Sequence, residues 1–451
     1  MELSQDQCEA VASFNAGYNM LITGPGGSGK SFLIKHLKEL AINSGKNIQI
    51  CAMTGCASVL LQCKAKTLHS WGGLGIANGN SKDIIKHVAR SKHKKNVWKT
   101  NDILVIDEVS MMSKKMFDII DDISRTVRGK KDIPFGGMQV ILSGDFYQLP
   151  PVGYNDDPDS TAFCFESDKW QECISKKIEL TTIYRQNDSC YKKILNQIRI
   201  GKITKSTIDI LNNRLNISIT EKIVPTILYP TRSHADALNN KEYNKLTSTK
   251  EIVFALRVVD DVECLKENQK TIRKNCSIDY IESEINSLSS TMMADKLLKL
   301  KTGTRVMCIA NIDQDSDLPV VNGSQGIIEG FSHIGQYPIV RFSNGAVKQI
   351  EPHCWASENI PGIGVSQIPL IYAWAITIHK SQGVTLDSAQ IDVGTRIFEY
   401  GQTYVALSRV KDLSGLYLTE FNYKNIKVSK KVRKFYESYN FSKTTLIDQS
   451  I

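Results

Sequence analysis

The 451-residue chain lacks any apolar run that approaches the roughly 18–20 residues a helix needs to cross a bilayer. It has eleven cysteines, yet none forms a Cys-x-x-Cys pair, and there is no internal repeat or long low-complexity tract. We therefore expect no membrane partner, no disulfide framework and no structural metal. Scattered thiols predict an intracellular, reducing compartment, either cytoplasm or nucleus. The polar, acidic start MELSQDQCEA predicts neither a secretory signal nor a transit peptide.

Short apolar runs alternate with helical patterns over the first 150 residues. Strands are predicted at Asn19–Gly24, Asn47–Met53, Asp102–Glu108 and Gly137–Asp145, and a helix at Ser31–Gly45. Strands of near-continuous apolar character that are joined by helices predict a parallel sheet covered on both faces. The first part of the chain is thus expected to form an α/β nucleotide-binding core.

The same alternation of short apolar runs and helical patterns returns in the second half, with strands and their connections predicted at 223–231, 368–383 and 388–394. It predicts a second α/β core. Between its pieces, residues 251–365 consist of short alternating segments separated by Gly, Asn and Asp turns, which favour an inserted β-rich module. A polar, basic and turn-rich stretch at about 78–100 predicts a smaller insertion in the first core.

The segment GPGGSGKS matches the phosphate-binding pattern GxxxxGK[ST] between a predicted strand and a predicted helix. Its glycines let backbone N–H groups turn inward around phosphates, and the helix N-terminus adds a positive dipole. The lysine is expected to reach the β- and γ-phosphates of ATP, and the serine hydroxyl to bind Mg²⁺. The residues predicted to bind the nucleotide are Gly24, Pro25, Gly26, Gly27, Ser28, Gly29, Lys30 and Ser31.

Hydrolysis also needs carboxylates and positive charge near the γ-phosphate. Asp107 and Glu108 follow an apolar strand, which predicts that Asp107 binds Mg²⁺ and Glu108 orients or deprotonates the attacking water. Arg185 and Arg409 are the candidate cations, with a structural salt bridge as the alternative for each. Both arginines lie far from the P-loop in sequence, so we expect them to reach the γ-phosphate across an interface between the two cores.

Basic residues are concentrated in two segments of a chain whose net charge is +9. Seven lysines or arginines and one aspartate lie between Lys82 and Lys99, and a second cluster runs from Lys424 to Lys434. Either cluster alone fits a solvated helix face. Two of them in a nucleotide-binding chain favour a nucleic-acid partner.

Several longer motifs follow one another in a recognisable order. They are LSQDQ at Leu3–Gln7, MTGCAS at Met53–Ser58, TLHSWGGLG at Thr67–Gly75, VIDEVSMM at Val105–Met112, GDFYQLPPV at Gly144–Val152, YRQ at Tyr184–Gln186, AITIHKSQGVTLD at Ala375–Asp387 and YVALSRV at Tyr404–Val410. Over nearly its whole length the chain resembles superfamily 1 DNA helicases of the PIF/RecD-like branch. The resemblance implies that Gln7 recognises the adenine edge and that Gln148 senses the γ-phosphate.

The resemblance also implies an α/β fold of two RecA-like parallel-sheet cores with a small wedge insertion and an SH3-like β-rich insertion, into which the Val321–Gly326 turn fits. It implies a monomeric motor that moves 5′→3′ on single-stranded DNA and opens forked duplex DNA by alternating closure of the two cores. The corresponding divisions are 1–185 for the first core, 78–100 for the wedge, 186–250 and 366–451 for the second core, and 251–365 for the module.

A motor that steps along a strand needs hydroxyl, amide and imidazole groups for backbone phosphates, plus a few ring faces for stacking. The candidate DNA-binding residues are Thr54, Thr67, His69 and Ser70 in the first core, and Thr377, His379, Lys380 and Ser381 in the second. A satisfied core histidine is the alternative for His69. The basic segment Asn80–Thr100 is the candidate strand-separating wedge, with Trp98 either stacking on a base or packing internally.

Three other functions remain open from the sequence. The chain could be a P-loop ATPase that remodels protein or RNA, although such enzymes normally take arginine fingers from neighbours in a ring. It could be a passive nucleic-acid-binding protein, which the intact Lys30, Ser31, Asp107 and Glu108 disfavour. It could also be an RNA helicase or a 3′→5′ motor, because backbone contacts discriminate poorly between sugars. Replication, repair and recombination are equally compatible with such a motor.

Overall fold

The computed structural model describes residues 3–61, 63–74, 77, 79–154, 156–219, 224–248, 250–313, 317–357 and 360–439. The chain divides into two compact units. Unit 1 contains the chain up to Ile210 together with Ile397–Leu413 and the residues from Asn422 onward, and unit 2 contains Leu211–Arg396 and Ser414–Phe421. The elements below are those of the described residues.

The strands, in chain order, are β1 Met20–Thr23, β2 Ile48–Ala52, β3 Lys66–Thr67, β4 Ile103–Asp107, β5 Gln139–Gly144, β6 Lys176–Glu179, β7 Ile227–Tyr229, β8 Glu251–Ala255, β9 Arg257–Asp260, β10 Leu297–Lys301, β11 Arg305–Cys308, β12 Gln325–Phe331, β13 Pro338–Phe342, β14 Val347–Gln349, β15 His353–Ala356, β16 Ile363–Gln367, β17 Leu370–Tyr372, β18 Ala375–Thr377, β19 Ala389–Val393 and β20 Leu416–Phe421.

The helices, in chain order, are α1 Gln5–Asn15, α2 Lys30–Asn43, α3 Gly55–Leu61, α4 Leu68–Gly72, α5 Ser81–Arg90, α6 Lys92–Thr100, α7 Lys114–Arg128, α8 Pro158–Thr161, α9 Trp170–Cys173, α10 Ser189–Ile200, α11 Lys205–Asn212, α12 Arg232–Asn244, α13 Glu267–Lys274, α14 Ile278–Thr291, α15 Gln402–Leu407 and α16 Lys430–Ser438. Short 3-10 turns lie at Val109–Met111, Pro134–Gly137, Cys164–Glu166 and Tyr423–Asn425. Across this part of the chain, no helix is both long and apolar enough to cross a membrane.

Unit 1 is built on a parallel sheet with the strand order β3-β2-β4-β5-β1-β6. Successive residues of one strand enter two different cores: Leu21 belongs to the core that contains Phe117 of α7, whereas Met20 and Ile22 belong to the core that contains Leu33 of α2. Both faces of the sheet are therefore covered. This arrangement explains the near-continuous apolar strands and confirms the predicted first α/β core.

Unit 2 contains a parallel four-stranded sheet with the order β18-β7-β19-β20, which is the predicted second α/β core. It also contains a five-stranded antiparallel sheet, β14-β13-β12-β11-β17, with its own apolar core. The predicted β-rich module is thus present. Its predicted end at 365 is too early, because β17 pairs with β11 through Met307 and Ile371. The module is also partly helical, since α13 and α14 lie within it.

The compact units divide the chain differently from the predicted cores. Residues 186–210 and 397–413 lie in unit 1 rather than in the second core. Side-chain bonds explain this placement: Tyr191 of α10 donates from its hydroxyl to the Leu407 carbonyl at 2.7 Å, and Arg199 pairs with Asp145. The C-terminal helix α16 also belongs to unit 1, because its Phe435 and Tyr436 enter the α7-side core.

The predicted insertion at 78–100 is helical rather than turn-rich, since it forms α5 and α6; Asn78 itself lies outside the described residues. Trp98 is fully buried, lies 4.5 Å from Trp71 between ring centroids, and donates its indole N–H to the Gly72 carbonyl at 3.1 Å. The packing alternative for Trp98 is therefore correct. Its ring is not available to stack on a base.

Candidate nucleotide-binding site

The P-loop connects β1 to α2, as the sequence predicts. Gly24, Gly27 and Gly29 all have positive φ, at 147°, 83° and 85°. Two features exclude a side chain at Gly27: its positive φ, and a distance of only 2.4 Å between an added Cβ and the Cβ of Arg185. The Tyr184 N–H donates to the Gly27 carbonyl at 2.8 Å. The segment that carries Arg185 therefore holds the P-loop, whose glycines adopt backbone conformations that other residues rarely adopt.

Lys30 opens α2 and turns its ammonium group back over the P-loop. Its Nζ donates to the carbonyls of Gly24 at 2.7 Å and Pro25 at 2.9 Å. Burial lowers the pKa of Lys30, and the negative charges of Asp145, Glu108 and Asp107 act in the opposite direction. A desolvated ammonium group whose hydrogen-bond partners are neutral oxygens interacts strongly with an arriving phosphate.

Asp107 ends β4 and is only 6% exposed. Burial raises the pKa of this carboxyl group, while a 2.7 Å bond from the Ser143 hydroxyl and the charge of Lys30 favour its ionised form. Glu108 follows with φ at 55°, a left-handed conformation that is uncommon for a residue with a side chain and typical of functional turns. Ser31 is exposed in the first turn of α2. The Ser31 hydroxyl and the Asp107 carboxylate are oxygen donors of the type Mg²⁺ prefers, so these residues fit that ion.

Arg185 and Arg409 both fall in the compact unit that contains the P-loop. Completion of the site by closure of two cores stays a prediction. Arg185 donates from Nη1 to the Ser408 carbonyl at 3.3 Å. Arg409 is 2% exposed and donates to the Val405 carbonyl and the Ser408 hydroxyl, each at 2.8 Å. Its pKa falls to about 9, mainly through burial and further through the positive charge of Arg185. Two guanidinium groups that repel each other in a dry environment form a site that a bound anion stabilises.

Tyr404 contacts the P-loop directly, although no individual role was predicted for it. Its hydroxyl accepts the Gly26 N–H at 2.8 Å, and burial raises its pKa to about 12. The signal available was its place at the start of YVALSRV, five residues before Arg409. Gln186 is a second residue without a predicted role, and its amide donates to the carbonyls of Ser408 and Val410. Together these contacts fix the segment that carries Arg409 against the P-loop.

Gln7 and Gln148, the two predicted glutamines, are both buried in unit 1. Gln7 forms a capping box with Ser4 at the start of α1, and its amide nitrogen lies beside Gly29 of the P-loop. The Gln148 N–H donates to the Asp145 carbonyl at 2.8 Å. Their roles in adenine recognition and γ-phosphate sensing stay predictions.

The candidate DNA-binding residues of unit 1 lie where β2 and β3 lead into helices. The Thr54 hydroxyl accepts the Ala57 N–H, and the Thr67 hydroxyl accepts the Ser70 N–H, each at 3.2 Å. His69 is partly buried, which lowers its pKa and favours the neutral imidazole at pH 7. These groups lie at helix N-termini, which are suited to phosphate. Gly75, the last residue of that motif, lies outside the described residues.

In unit 2, Thr377 and Lys380 line a cleft of about 190 Å³ whose lining includes Arg232, Asn239 and Asn240. Arg232 and the two asparagines lie on α12, and no role was predicted for them. His379 is partly buried beside the cleft residues. Ser381 is fully buried and donates its hydroxyl to the Ile378 carbonyl at 2.8 Å. Its hydroxyl therefore stabilises the turn that presents Lys380, and its predicted DNA contact is not favoured by this burial.

The parallel sheet of unit 1, the P-loop between strand and helix, the Asp107–Glu108 pair on the neighbouring strand and the two arginines define a P-loop nucleoside-triphosphate-binding protein. Comparison with known proteins identifies the family within this class. The model "PIF1-like helicase" matches residues 2–209, and "DNA helicase Pif1, 2B domain" matches residues 285–331. The chain belongs to the PIF1-like helicase family.

The similar proteins include ATP-dependent DNA helicase PIF1 of Xenopus laevis, which is 33% identical over 440 residues and 97% of this chain. The chain spans only 64% of the length of that relative. It covers 94% of uncharacterized protein 030L of invertebrate iridescent virus 6, at 32% identity and over 97% of this chain. Among solved structures, Pif1 helicase from Candida albicans has a TM-score of 0.74 and 32% identity, with 97% of this chain and 100% of that chain covered. Bacteroides Pif1 in complex with ADP-AlF4 has a TM-score of 0.77 and 27% identity, with 98% of each chain covered.

Proposed function

We propose that the protein is an ATP-dependent DNA helicase that translocates 5′→3′ on single-stranded DNA and separates duplexes. The observation that carries this proposal is the grouping of Lys30, Asp107, Glu108, Arg185 and Arg409 in one compact unit of a chain from a helicase family. Pif1 of Bacteroides has been solved bound to single-stranded DNA, and another Pif1 study describes unwinding at forked duplex DNA by two coordinating helicases. These descriptions support single-stranded and forked DNA as partners.

The residues divide the chemistry of hydrolysis among them. Lys30 and the P-loop amides hold the β- and γ-phosphates, and Glu108 orients or deprotonates the attacking water. Arg185 and Arg409 stabilise the negative charge that develops on the transferred phosphoryl group. Ser31 and Asp107 would hold Mg²⁺, which when bound neutralises charge on the β- and γ-phosphate oxygens. Gln148 would report the presence of the γ-phosphate to the rest of unit 1.

Polar groups on both units bind the DNA strand in this proposal. Thr54, Thr67 and His69 present hydroxyl and neutral imidazole groups near helix N-termini in unit 1. In unit 2, Lys380 and Arg232 at the cleft supply positive charge. Such a set holds a sugar–phosphate backbone without reading bases, as a motor requires. We propose that one chain is the translocating unit, acting in a reducing intracellular compartment.

ATP hydrolysis measured with and without single-stranded DNA tests the proposal. We expect DNA to raise turnover, and Lys30→Ala to abolish hydrolysis and unwinding while leaving DNA binding nearly intact. Lys46→Ala is the matched control, because Lys46 is an exposed lysine shortly after the end of α2. Unchanged turnover in the presence of DNA would refute the helicase function and favour a remodelling ATPase.

Polarity and sugar preference need a second experiment. Duplexes with a 5′ or a 3′ single-stranded tail, each made of DNA or of RNA, are mixed with the protein and ATP. We expect unwinding of the 5′-tailed DNA substrate. Preference for the 3′ tail would reverse the proposed direction, and preference for RNA tails would replace the proposed track.

A further inference from the structure

The hydroxyl of Tyr436 lies at the centre of a buried polar network in unit 1. Tyr436 belongs to the C-terminal helix α16, whose first residues overlap the predicted basic cluster Lys424–Lys434. Its oxygen lies 2.5 Å from the Thr23 hydroxyl, 3.2 Å from the Phe146 N–H and 3.2 Å from Oδ1 of Asp145. The side chain is almost fully buried, and burial raises the pKa of the phenol well above its usual value.

The directions of these bonds follow from the partners. The Asp145 carboxylate accepts, so the Tyr436 O–H donates to it. The Phe146 N–H can only donate, and Tyr436 accepts from it with one lone pair. The Thr23 hydroxyl then donates to the remaining lone pair. Every capacity of the phenol is used, which is the state in which a buried polar network is most stabilising and most rigid.

The partners of Tyr436 start two loops that meet the nucleotide. Thr23 is the last residue of β1 and immediately precedes the P-loop residue Gly24. Asp145 immediately follows β5 and starts the loop that carries Gln148, whose N–H it accepts through its backbone carbonyl. One hydroxyl from the C-terminal helix thus joins the base of the P-loop to the base of the predicted γ-phosphate sensor.

The ring of Tyr436 is held as firmly as its hydroxyl. It stacks on Tyr147 with centroids 4.7 Å apart and an interplanar angle of 18°. The guanidinium of Arg199 lies over both rings, 4.8 Å from the Tyr147 centroid and 5.3 Å from the Tyr436 centroid, and pairs with Asp145 through two 2.9 Å bonds. The ring and the guanidinium therefore fix where the hydroxyl points.

We propose that Tyr436 is a positioning residue for ATP hydrolysis: its hydroxyl sets the P-loop and the Asp145–Gln148 loop in register. This inference rests on the proposed ATPase activity. In this proposal Tyr436 makes no contact with substrate itself. It acts through Thr23 and Asp145, so its loss affects the rate of the chemical step more than the binding of ATP.

Tyr436→Phe tests the proposal, because it keeps the ring stack and removes only the hydroxyl. We expect kcat for DNA-stimulated ATP hydrolysis to fall about tenfold, with KM for ATP within about twofold of wild type. Tyr439→Phe is the matched control, since that hydroxyl lies one residue beyond α16 and bonds to Gln171 at the surface. We expect the control to keep the wild-type kcat.

A double-mutant cycle with Thr23→Val separates positioning from simple loss of stability. If the two hydroxyls act as one bridge, the double variant loses no more kcat than the worse single variant. Thr23→Ser keeps the hydroxyl and is expected to restore the rate. Should Tyr436→Phe not fold, the comparison of Thr23→Val with Thr23→Ser decides alone.

Three outcomes would overturn the proposal: an unchanged kcat in Tyr436→Phe, an additive cycle, or a rise in KM with kcat unchanged. Each presupposes that the wild-type protein hydrolyses ATP. Absence of hydrolysis in the wild type would instead refute the proposed function, so the two failures are distinguishable.

Discussion

Glu179 gives the protein a pH-dependent stability that a single substitution should remove. It ends β6 beside Thr23, is 14% exposed, and its carboxylate lies 3.8 Å from Arg199, whose two short bonds go to Asp145 instead. Burial raises the pKa of Glu179 from 4.5 to about 7, with the charge of Asp145 adding to the effect and that of Arg199 opposing it. A raised carboxyl pKa means that the neutral acid fits the folded state better than the anion does.

The sign and size follow from linkage. The contribution of neutral Glu179 is fully present below pH 4.5 and is lost as the pH rises through about 7. With these two pKa values, ionisation costs the folded state about 0.8 kcal/mol at pH 5 and about 3.3 kcal/mol at pH 8. Glu179→Gln stays neutral at both values. The free energy of unfolding of Glu179→Gln should therefore exceed that of wild type by about 2.5 kcal/mol more at pH 8 than at pH 5.

Urea unfolding at pH 5 and pH 8, followed by tryptophan fluorescence, measures this difference. Trp71, Trp98 and Trp170 lie in unit 1, so the comparison is made in a background with Trp355→Phe and Trp374→Phe, in which fluorescence reports unit 1 alone. Glu172→Gln, which removes one exposed partner of Arg125, controls for the loss of a surface charge. An equal effect of Glu179→Gln at both pH values would refute the reasoning.

Three further predictions concern the proposed activity. Arg409→Lys should lower kcat by at least about 10³-fold with little change in ATP binding, measured by single-turnover hydrolysis, because an ammonium group cannot reproduce the guanidinium geometry; a tenfold loss or less would exclude a direct role. Tyr404→Phe should weaken ATP binding by about fivefold, measured with a fluorescent nucleotide, because the Gly26 N–H loses its partner; unchanged affinity would show that the bond does not shape the P-loop. Lys380→Gln should weaken single-stranded DNA binding and reduce the slope of log K against log[salt] by the equivalent of about one phosphate contact. Ser381→Ala should lower stability and leave that slope unchanged. Equal slopes in the two variants would contradict a phosphate contact at Lys380.

The parts of unit 1 that the sequence predicted correctly are local. Asp107 and Glu108 follow directly from the apolar strand that ends in them, because burial on both sheet faces leaves a continuous apolar run in the sequence. The P-loop likewise combines its glycines, lysine and serine within eight residues between a strand and a helix. Such features need no knowledge of how distant segments pack.

The features that the sequence missed depend on distant segments. Arg409 lies more than 370 residues from the P-loop, and the predicted second core hid the fact that Ile397–Leu413 returns to unit 1. Tyr436 lies in a stretch rich in lysine, where the pattern indicates a solvated helix face. In helix α16, the buried side chains are those of Val432, Phe435 and Tyr436. The basic segment Asn80–Thr100 is a similar case, because its charges predicted a wedge, whereas its Trp98 packs in the core, as one of the two alternatives for that residue held.

The P-loop, the carboxylates and both arginines fall in one compact unit, unit 1. A rearrangement within that unit is one way in which bound DNA could stimulate hydrolysis. The sheet offers a direct route: Ala52 of β2 pairs in register with Thr67 on one side and with Asp107 on the other. A DNA phosphate bound at Thr67 would thus lie close to a residue whose backbone is two β-strand spacings, about 10 Å, from that of Asp107, the predicted magnesium ligand. Thr67→Val should then reduce DNA stimulation of kcat more than it reduces DNA affinity. Equal loss of both would show that Thr67 only binds the strand.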